Sequence, residues 1–177
     1  MNSSEKIETE RFILRKVRME DASAIFETYA QDPEVTRYLT WKPHQNIQDT
    51  EQFLLACGQL WRTGKDFAYA ITLNDDNKLI GMFGLFPMKL KLEVGYVLAR
   101  PYWGKGYMTE VLRAVIEWAF KQPDIFRVQA FCDVDNIGSA RVLEKAGMER
   151  EGLLRRYVLH PNISDEPRDV YLYAIVK

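Results

Sequence analysis

The stretch Trp103-Gly104-Lys105-Gly106-Tyr107-Met108-Thr109 decides how this chain reads. It follows a strand-like run, Lys91 to Leu98, and leads into the strongest helical pattern of the sequence. Met108, Val111, Leu112, Val115, Ile116 and Ala119 recur at the spacing of one helix face, and Gln122-Pro123-Asp124 ends the pattern. Two glycines two residues apart let a backbone approach a ligand closely and adopt positive φ. The first turn of a helix leaves N–H groups unpaired and carries partial positive charge. Together they form a site suited to phosphate or pyrophosphate. The alternative is a tight strand-to-helix turn that binds nothing. Other phosphate motifs fail. No Gly-x4-Gly-Lys-Ser/Thr is present, and a dinucleotide fingerprint would need glycine where Thr109 stands and a parallel sheet opening near the N-terminus.

Upstream, three strand-like runs follow one another: Phe67 to Leu73, Lys78 to Phe86 and Lys91 to Leu98. Asn74-Asp75-Asp76-Asn77 and Pro87-Met88-Lys89 are turn chemistry between them, so an antiparallel meander is expected. Earlier still, Phe12 to Leu14 begins a strand, and Ala22, Ile25, Phe26, Tyr29 and Ala30 fall at helical spacing up to Asp32-Pro33. Val35 to Trp41 reads as a short amphipathic turn or helix. Asn46 with Asp49 marks the start of a helix that Gly64 stops. Downstream, Phe126 to Cys132 alternates as a strand. Ser139 to Ala146 is a short helix with Gly147 at its end, and Tyr171 to Val176 is a last strand. A meander followed by strand, helix, strand implies an α+β domain: a mixed sheet with helices on its faces.

The chain has 177 residues, 47% hydrophobic and 28% charged, which suits one domain spanning residues 1–177. Its 24 Lys and Arg against 25 Asp and Glu remove the electrostatic warrant for a nucleic-acid binder. The polar N-terminus, Met1 to Glu10, lacks a signal-peptide core, and no apolar run is long enough to span a membrane. Cys57 and Cys132 read as reduced core residues of a cytoplasmic protein. With only His44 and His160, neither a His-rich metal site nor a Ser-His-Asp hydrolase is well supplied.

Three motifs carry a resemblance. They are Glu93-Val94-Gly95-Tyr96-Val97-Leu98 with Pro101-Tyr102-Trp103-Gly104-Lys105-Gly106-Tyr107-Met108-Thr109-Glu110, then the run from Asn136 to Met148, then Glu8-Thr9-Glu10-Arg11-Phe12-Ile13-Leu14-Arg15. In this order they resemble the GNAT N-acetyltransferases, and within them the RimJ/RimL-like (ribosomal-protein-alanine) branch. The resemblance implies a mostly antiparallel sheet of about seven strands, splayed at a bulge, with acetyl-CoA as acyl donor and no metal. It implies that pantetheine pairs with the strand edge Tyr96, Val97 and Leu98. Pyrophosphate would rest on the amides of Trp103, Gly104, Lys105, Gly106, Tyr107, Met108 and Thr109. Asn136 would bond the pantetheine amide, Ser139 would serve as acid or bond the cofactor, and Lys105 and Lys145 would approach phosphates. Gly95 is compatible with the bulge or with close packing. The superfamily favours Gln or Arg at Trp103, Gly or Ala at Met108 and a Tyr acid at Leu143; Trp103 suits the branch, whereas Leu143 leaves the thiolate's proton to come from elsewhere.

Glu93 is the candidate base, directly or through water; the alternative is a solvated carboxylate between lysines. Ser139 and Asn136 each have an alternative as helix caps, Lys105 and Lys145 as solvated lysines, and Tyr107 as a packing ring. Trp41, Tyr38, Trp61 and Tyr96 line an acceptor pocket or belong to the core. Arg155-Arg156-Tyr157 is an acceptor loop or a solvated hairpin. The partner is an amine acceptor: a protein N-terminus, or else a small amine such as a polyamine, amino acid or aminoglycoside. A noncatalytic acyl-CoA-binding module is the remaining reading. The resemblance is compatible with a homodimer, and no nucleic acid or membrane partner is expected.

Overall fold

The computed structural model describes residues 6–177, so the first half of the polar N-terminus lies outside the described residues. These residues form one sheet from β1 (Lys6–Glu8), β2 (Phe12–Lys16), β3 (Phe67–Leu73), β4 (Leu79–Met88), β5 (Lys91–Leu98), β6 (Arg127–Asp133), β7 (Glu149–Val158) and β8 (Arg168–Val176). The order across the sheet is β1-β2-β3-β4-β5-β6-β8-β7, antiparallel throughout except for the β5–β6 pair. The helices are α1 (Ala22–Ile25), which widens into a π turn over Phe26–Ala30, then α2 (Pro33–Thr36), α3 (Ile47–Thr63), α4 (Tyr107–Phe120) and α5 (Ile137–Lys145).

Local chemistry sets the helix ends. Asn46 Oδ1 accepts from the Asp49 N–H and the Asp49 carboxylate accepts from the Asn46 N–H, a reciprocal cap that starts α3. Gly64, in the left-handed region, ends it. Asp32-Pro33 stops one helix and starts the next: the Asp32 carboxylate accepts from the Glu34 N–H, and Pro33 supplies the first turn of α2. The helix expected at Val35 to Trp41 is therefore earlier and shorter.

Two cores lie on opposite faces of the sheet. One joins α4 and α5 to Phe83, Leu85, Leu92, Val94, Leu98, Val128, Ala130 and Cys132. The other joins α1, α2 and α3 to the opposite face, where Ala68, Ala70, Met82 and Val97 point. Because side chains alternate along a strand, Glu93, Gln129 and Phe131 project on this second face. The sheet exceeds the expected seven strands by one. The three-residue β1 precedes the expected opening strand, and β7 forms where Arg155 to Tyr157 read as a loop or hairpin.

The parallel pairing of β5 with β6 is brief: Lys91, Leu92 and Glu93 lie beside Arg127, Val128 and Gln129, and there the register ends. Beyond Glu93 the two strands part and leave a gap in the middle of the sheet. The expected splay is present, but no bulge at Gly95 produces it. The β4–β5 register runs unbroken from Met88 and Lys91 to Gly81 and Leu98. Gly95 instead faces Gly84, and a Cβ on either would meet the ring of Phe86, at 3.5 Å and 2.9 Å respectively. These two glycines make room for that ring.

Candidate active site

The gap has a main-chain wall and a side-chain apex. Ala99 N–H donates to Ile80 O at 2.8 Å, so odd-numbered residues of β5 turn their main-chain groups toward β4. Alternation turns those of Val94, Tyr96 and Leu98 toward the gap. Val97, expected on this edge, bonds inward through its backbone. The indole N–H of Trp103 donates to Leu98 O at 2.6 Å, which occupies that carbonyl and fastens the following loop to the strand. The open edge is thus centred on Tyr96.

The loop then makes two left-handed steps, Gly104 and Gly106, both at φ +74°, before α4 begins. A Cβ at either would meet nothing within 4 Å, so their outer side is open. Among the described residues, the N–H groups of Gly106, Tyr107, Met108 and Thr109 have no acceptor. The Met108 side chain is in the core, 3% exposed, and does not obstruct this row of donors. Tyr107 packs between Phe12, Tyr102 and the Arg11 guanidinium, which settles its ring as a packing ring. Lys105 is exposed and lies over the Tyr102 ring. The first turn of α4 is anchored through Glu110, whose carboxylate accepts from the Thr9 hydroxyl at 2.7 Å and from Arg11 Nε at 2.7 Å. Burial pushes the Glu110 carboxyl up, but these donors and the Arg11 charge outweigh it and hold the group below the usual range.

Across the gap stands α5. Asn136 Oδ1 accepts from the Ser139 N–H at 3.1 Å, so Asn136 is the cap and its amide N–H groups remain free. Ser139 is not a cap. Its hydroxyl pairs with the Tyr96 hydroxyl at 2.9 Å and closes the α5 side of the gap. Burial raises the Tyr96 phenol well above its ordinary value, against the opposing effect of Ser139, so it stays neutral. Burial likewise pushes the Cys132 thiol up to about 11, which fits the expected packing role. Leu143 is fully buried. Lys145 is exposed in the last turn of α5, roughly 13 Å along the helix from Asn136. Its carbonyl accepts from Arg113.

At the apex, Glu93 occupies the last paired position of β5. Its carboxylate accepts from Gln129 Nε2 at 2.8 Å; Gln129 Oε1 accepts from Arg127 Nε at 3.0 Å; Arg127 makes a two-pronged pair with Glu151 at 2.8 and 2.6 Å. Gln129 went unseen in the sequence because nothing local marks it; only the parallel register brings it beside Glu93. Along the same face the Phe131 and Tyr157 rings meet edge to face, and Tyr157 is half exposed. An open groove of about 660 Å³ runs beside Leu153, Leu154, Arg155, Arg156, Tyr157 and Asp169. Asn162 Nδ2 bonds Thr36 O and Trp41 O, which ties the β7–β8 loop to the segment carrying Tyr38 and Trp41. Trp61 is elsewhere, packed on Phe67 and Tyr69 of β3.

The sheet is thus splayed, and four N–H groups without acceptors stand at a helix start at one end of the gap. The acetyltransferase (GNAT) domain profile matches residues 11–149, and the chain belongs to this family. It is 32% identical to the uncharacterized N-acetyltransferase YoaA of Bacillus subtilis over 97% of this chain and 96% of that one. It is 25% identical to the ribosomal protein uS5-alanine N-acetyltransferase of Escherichia coli, over 96% and 90% of the two chains. Among solved structures, a GNAT-family acetyltransferase from Bacillus anthracis superposes with a TM-score of 0.84 at 30% identity, covering 97% of this chain and 98% of that one. The protein is an acetyltransferase that uses acetyl-CoA. No helix among the described residues is long and apolar enough to cross a membrane.

Proposed function

We propose that this enzyme acetylates the α-amine at a protein N-terminus, within one catalytic domain formed by residues 1–177 and working in the cytoplasm. The observation that carries the reading is the parting of β5 from β6 after Glu93, which sets a carboxylate at the apex of a gap whose far end holds four free N–H groups. Acetyl-CoA supplies an acyl group activated as a thioester, which a bound amine attacks directly.

The chain's own groups divide the remaining work. Gly106, Tyr107, Met108 and Thr109 offer N–H donors to the pyrophosphate, with Gly104 and Lys105 flanking it. Tyr96 offers a main-chain edge to the pantetheine arm, and the free Asn136 amide offers a further donor. Glu93 takes the amine proton through its unoccupied oxygen, directly or through one water. The Ser139 hydroxyl, itself bonded to Tyr96, stands where a departing thiolate needs a proton; with a thiol near pKa 8.5, a positioned hydroxyl suffices.

Amine chemistry favours the α-amine. With a pKa of about 7.7–8.0, roughly a quarter is neutral near pH 7.4, against about one part in a thousand for a lysine side chain. One carboxylate acting at the apex is adequate for the first and weak for the second. The half-exposed Tyr157, packed on Phe131 along the face that carries Glu93, suits a chain end laid across the surface better than an enclosed small molecule. The test is coenzyme A release with peptides carrying a free N-terminus, with the same peptides blocked at the N-terminus but bearing lysine, and with polyamines and amino acids. Release confined to free N-termini is expected. Release only with small amines would overturn the acceptor, and tight acetyl-CoA binding with no release from any amine would overturn the activity.

A further inference from the structure

The hydrogen-bond chain ending at Glu93 has a fixed direction. Arg127 carries only donors. Its Nη atoms are held by Glu151 and its Nε reaches Gln129, so the atom Gln129 presents to it must be the amide oxygen. The NH₂ group of Gln129 then necessarily faces the other way, and there it meets Glu93 Oε2 at 2.8 Å. A flipped amide would set donor against donor and oxygen against carboxylate. Gln129 is 6% exposed, so bulk water does not compete for these contacts. The other groups near Glu93 on this face are Lys91, two residues back on β5, and Phe86 across on β4. Neither is a hydrogen-bond partner of the carboxylate.

We propose that Gln129 is a positioning residue for acetyl transfer, locked by Arg127 and Glu151 into donating to one oxygen of Glu93 and thereby aiming the other at the acceptor amine. This rests on the reading of Glu93 as the base. The donor removes a degree of rotational freedom from a side chain at the apex of the gap. The proton moves from amine to the free Glu93 oxygen; Gln129 exchanges none.

The experiment is the pH profile of kcat with both substrates saturating, for the wild type, Gln129→Met, Gln129→Glu, Arg127→Met and Glu93→Gln. Methionine matches glutamine in length and removes the donor. Gln129→Met is expected to lower kcat about tenfold. The loss falls on kcat, while the acetyl-CoA KM stays unchanged. Gln129→Glu, which replaces the donor with an acceptor, lowers kcat further. Arg127→Met keeps the donor but frees the amide to rotate, and lowers kcat less. Calorimetric acetyl-CoA affinity equal to wild type shows that each variant is folded. A Gln129→Met kcat equal to wild type, or an acetyl-CoA KM raised by as much as kcat falls, would overturn the proposal while leaving Glu93 as base. A flat ratio of Glu93→Gln to wild-type rates across pH 6–9 would instead overturn the base reading itself.

Discussion

The two ends of the gap are built from different material. The end proposed to hold the phosphates, Gly104 to Thr109, offers main-chain N–H groups, and its side chains are turned to the core, to neighbouring rings or to solvent. The apex offers side chains, Glu93 and Gln129 on one face of the sheet, with Tyr96 and Ser139 on the other. A main-chain site tolerates side-chain substitution but not a change of backbone conformation or of charge. A side-chain site tolerates neither loss of the reacting atom nor loss of its neighbours. Binding and chemistry should therefore separate cleanly by mutation.

The largest expected effect is at the phosphate end. Gly106→Asp forces a non-glycine residue to φ +74° and sets a carboxylate before the pyrophosphate. Calorimetry is expected to show acetyl-CoA affinity reduced a hundredfold or more, roughly 3 kcal/mol. Gly106→Ala, with the strain but no charge and no steric obstacle, should lose about tenfold or less. At the apex the separation runs the other way. Glu93→Gln is expected to lower kcat about a hundredfold, most at low pH, with calorimetric acetyl-CoA affinity unchanged. Ser139→Ala, which deletes the hydroxyl paired with Tyr96, should lower kcat about tenfold with little change in KM for either substrate. An affinity loss in either apex variant as large as its loss of kcat would break the division.

The smallest effect concerns what holds the two ends together. Glu110 joins the first turn of α4 to the β1–β2 turn through Thr9 and Arg11. Its carboxyl is held below the usual range when folded, so its contribution to stability is present above the unfolded pKa, near 4.3, and is lost as pH falls below that through the folded value. Urea unfolding of Glu110→Gln is expected to show a loss of about 1 kcal/mol at pH 7 and a smaller deficit near pH 4.

The same division explains what could be read from sequence. The loop 103–109 is local: its glycine spacing and the helical period after it are contiguous, so the left-handed turn and the helix start are legible. So are the caps at Asn46 and the stop at Gly64. The apex depends on register. Gln129 lies 36 residues from Glu93, and only three pairs of parallel register join their strands. The splay was foreseen but assigned to Gly95, because a lone strand glycine reads alike whether it bulges or admits a ring such as Phe86. Asn136 and Ser139, three residues apart at a helix start, both had cap chemistry; their division followed only once Tyr96 offered the serine another partner. β7 was hidden by Glu149, Arg150, Glu151, Arg155 and Arg156, exposed charges that blur alternation on an edge strand.

The central claim is that one acyl donor lies along the parted edge of β5 with its phosphates at the start of α4. Amide NMR of the ¹⁵N-labelled protein titrated with coenzyme A tests it most directly. The largest shifts are expected at Tyr96 and at Gly106, Tyr107, Met108 and Thr109. Shifts gathered instead along β7 and β8, with those five amides unmoved, would contradict it.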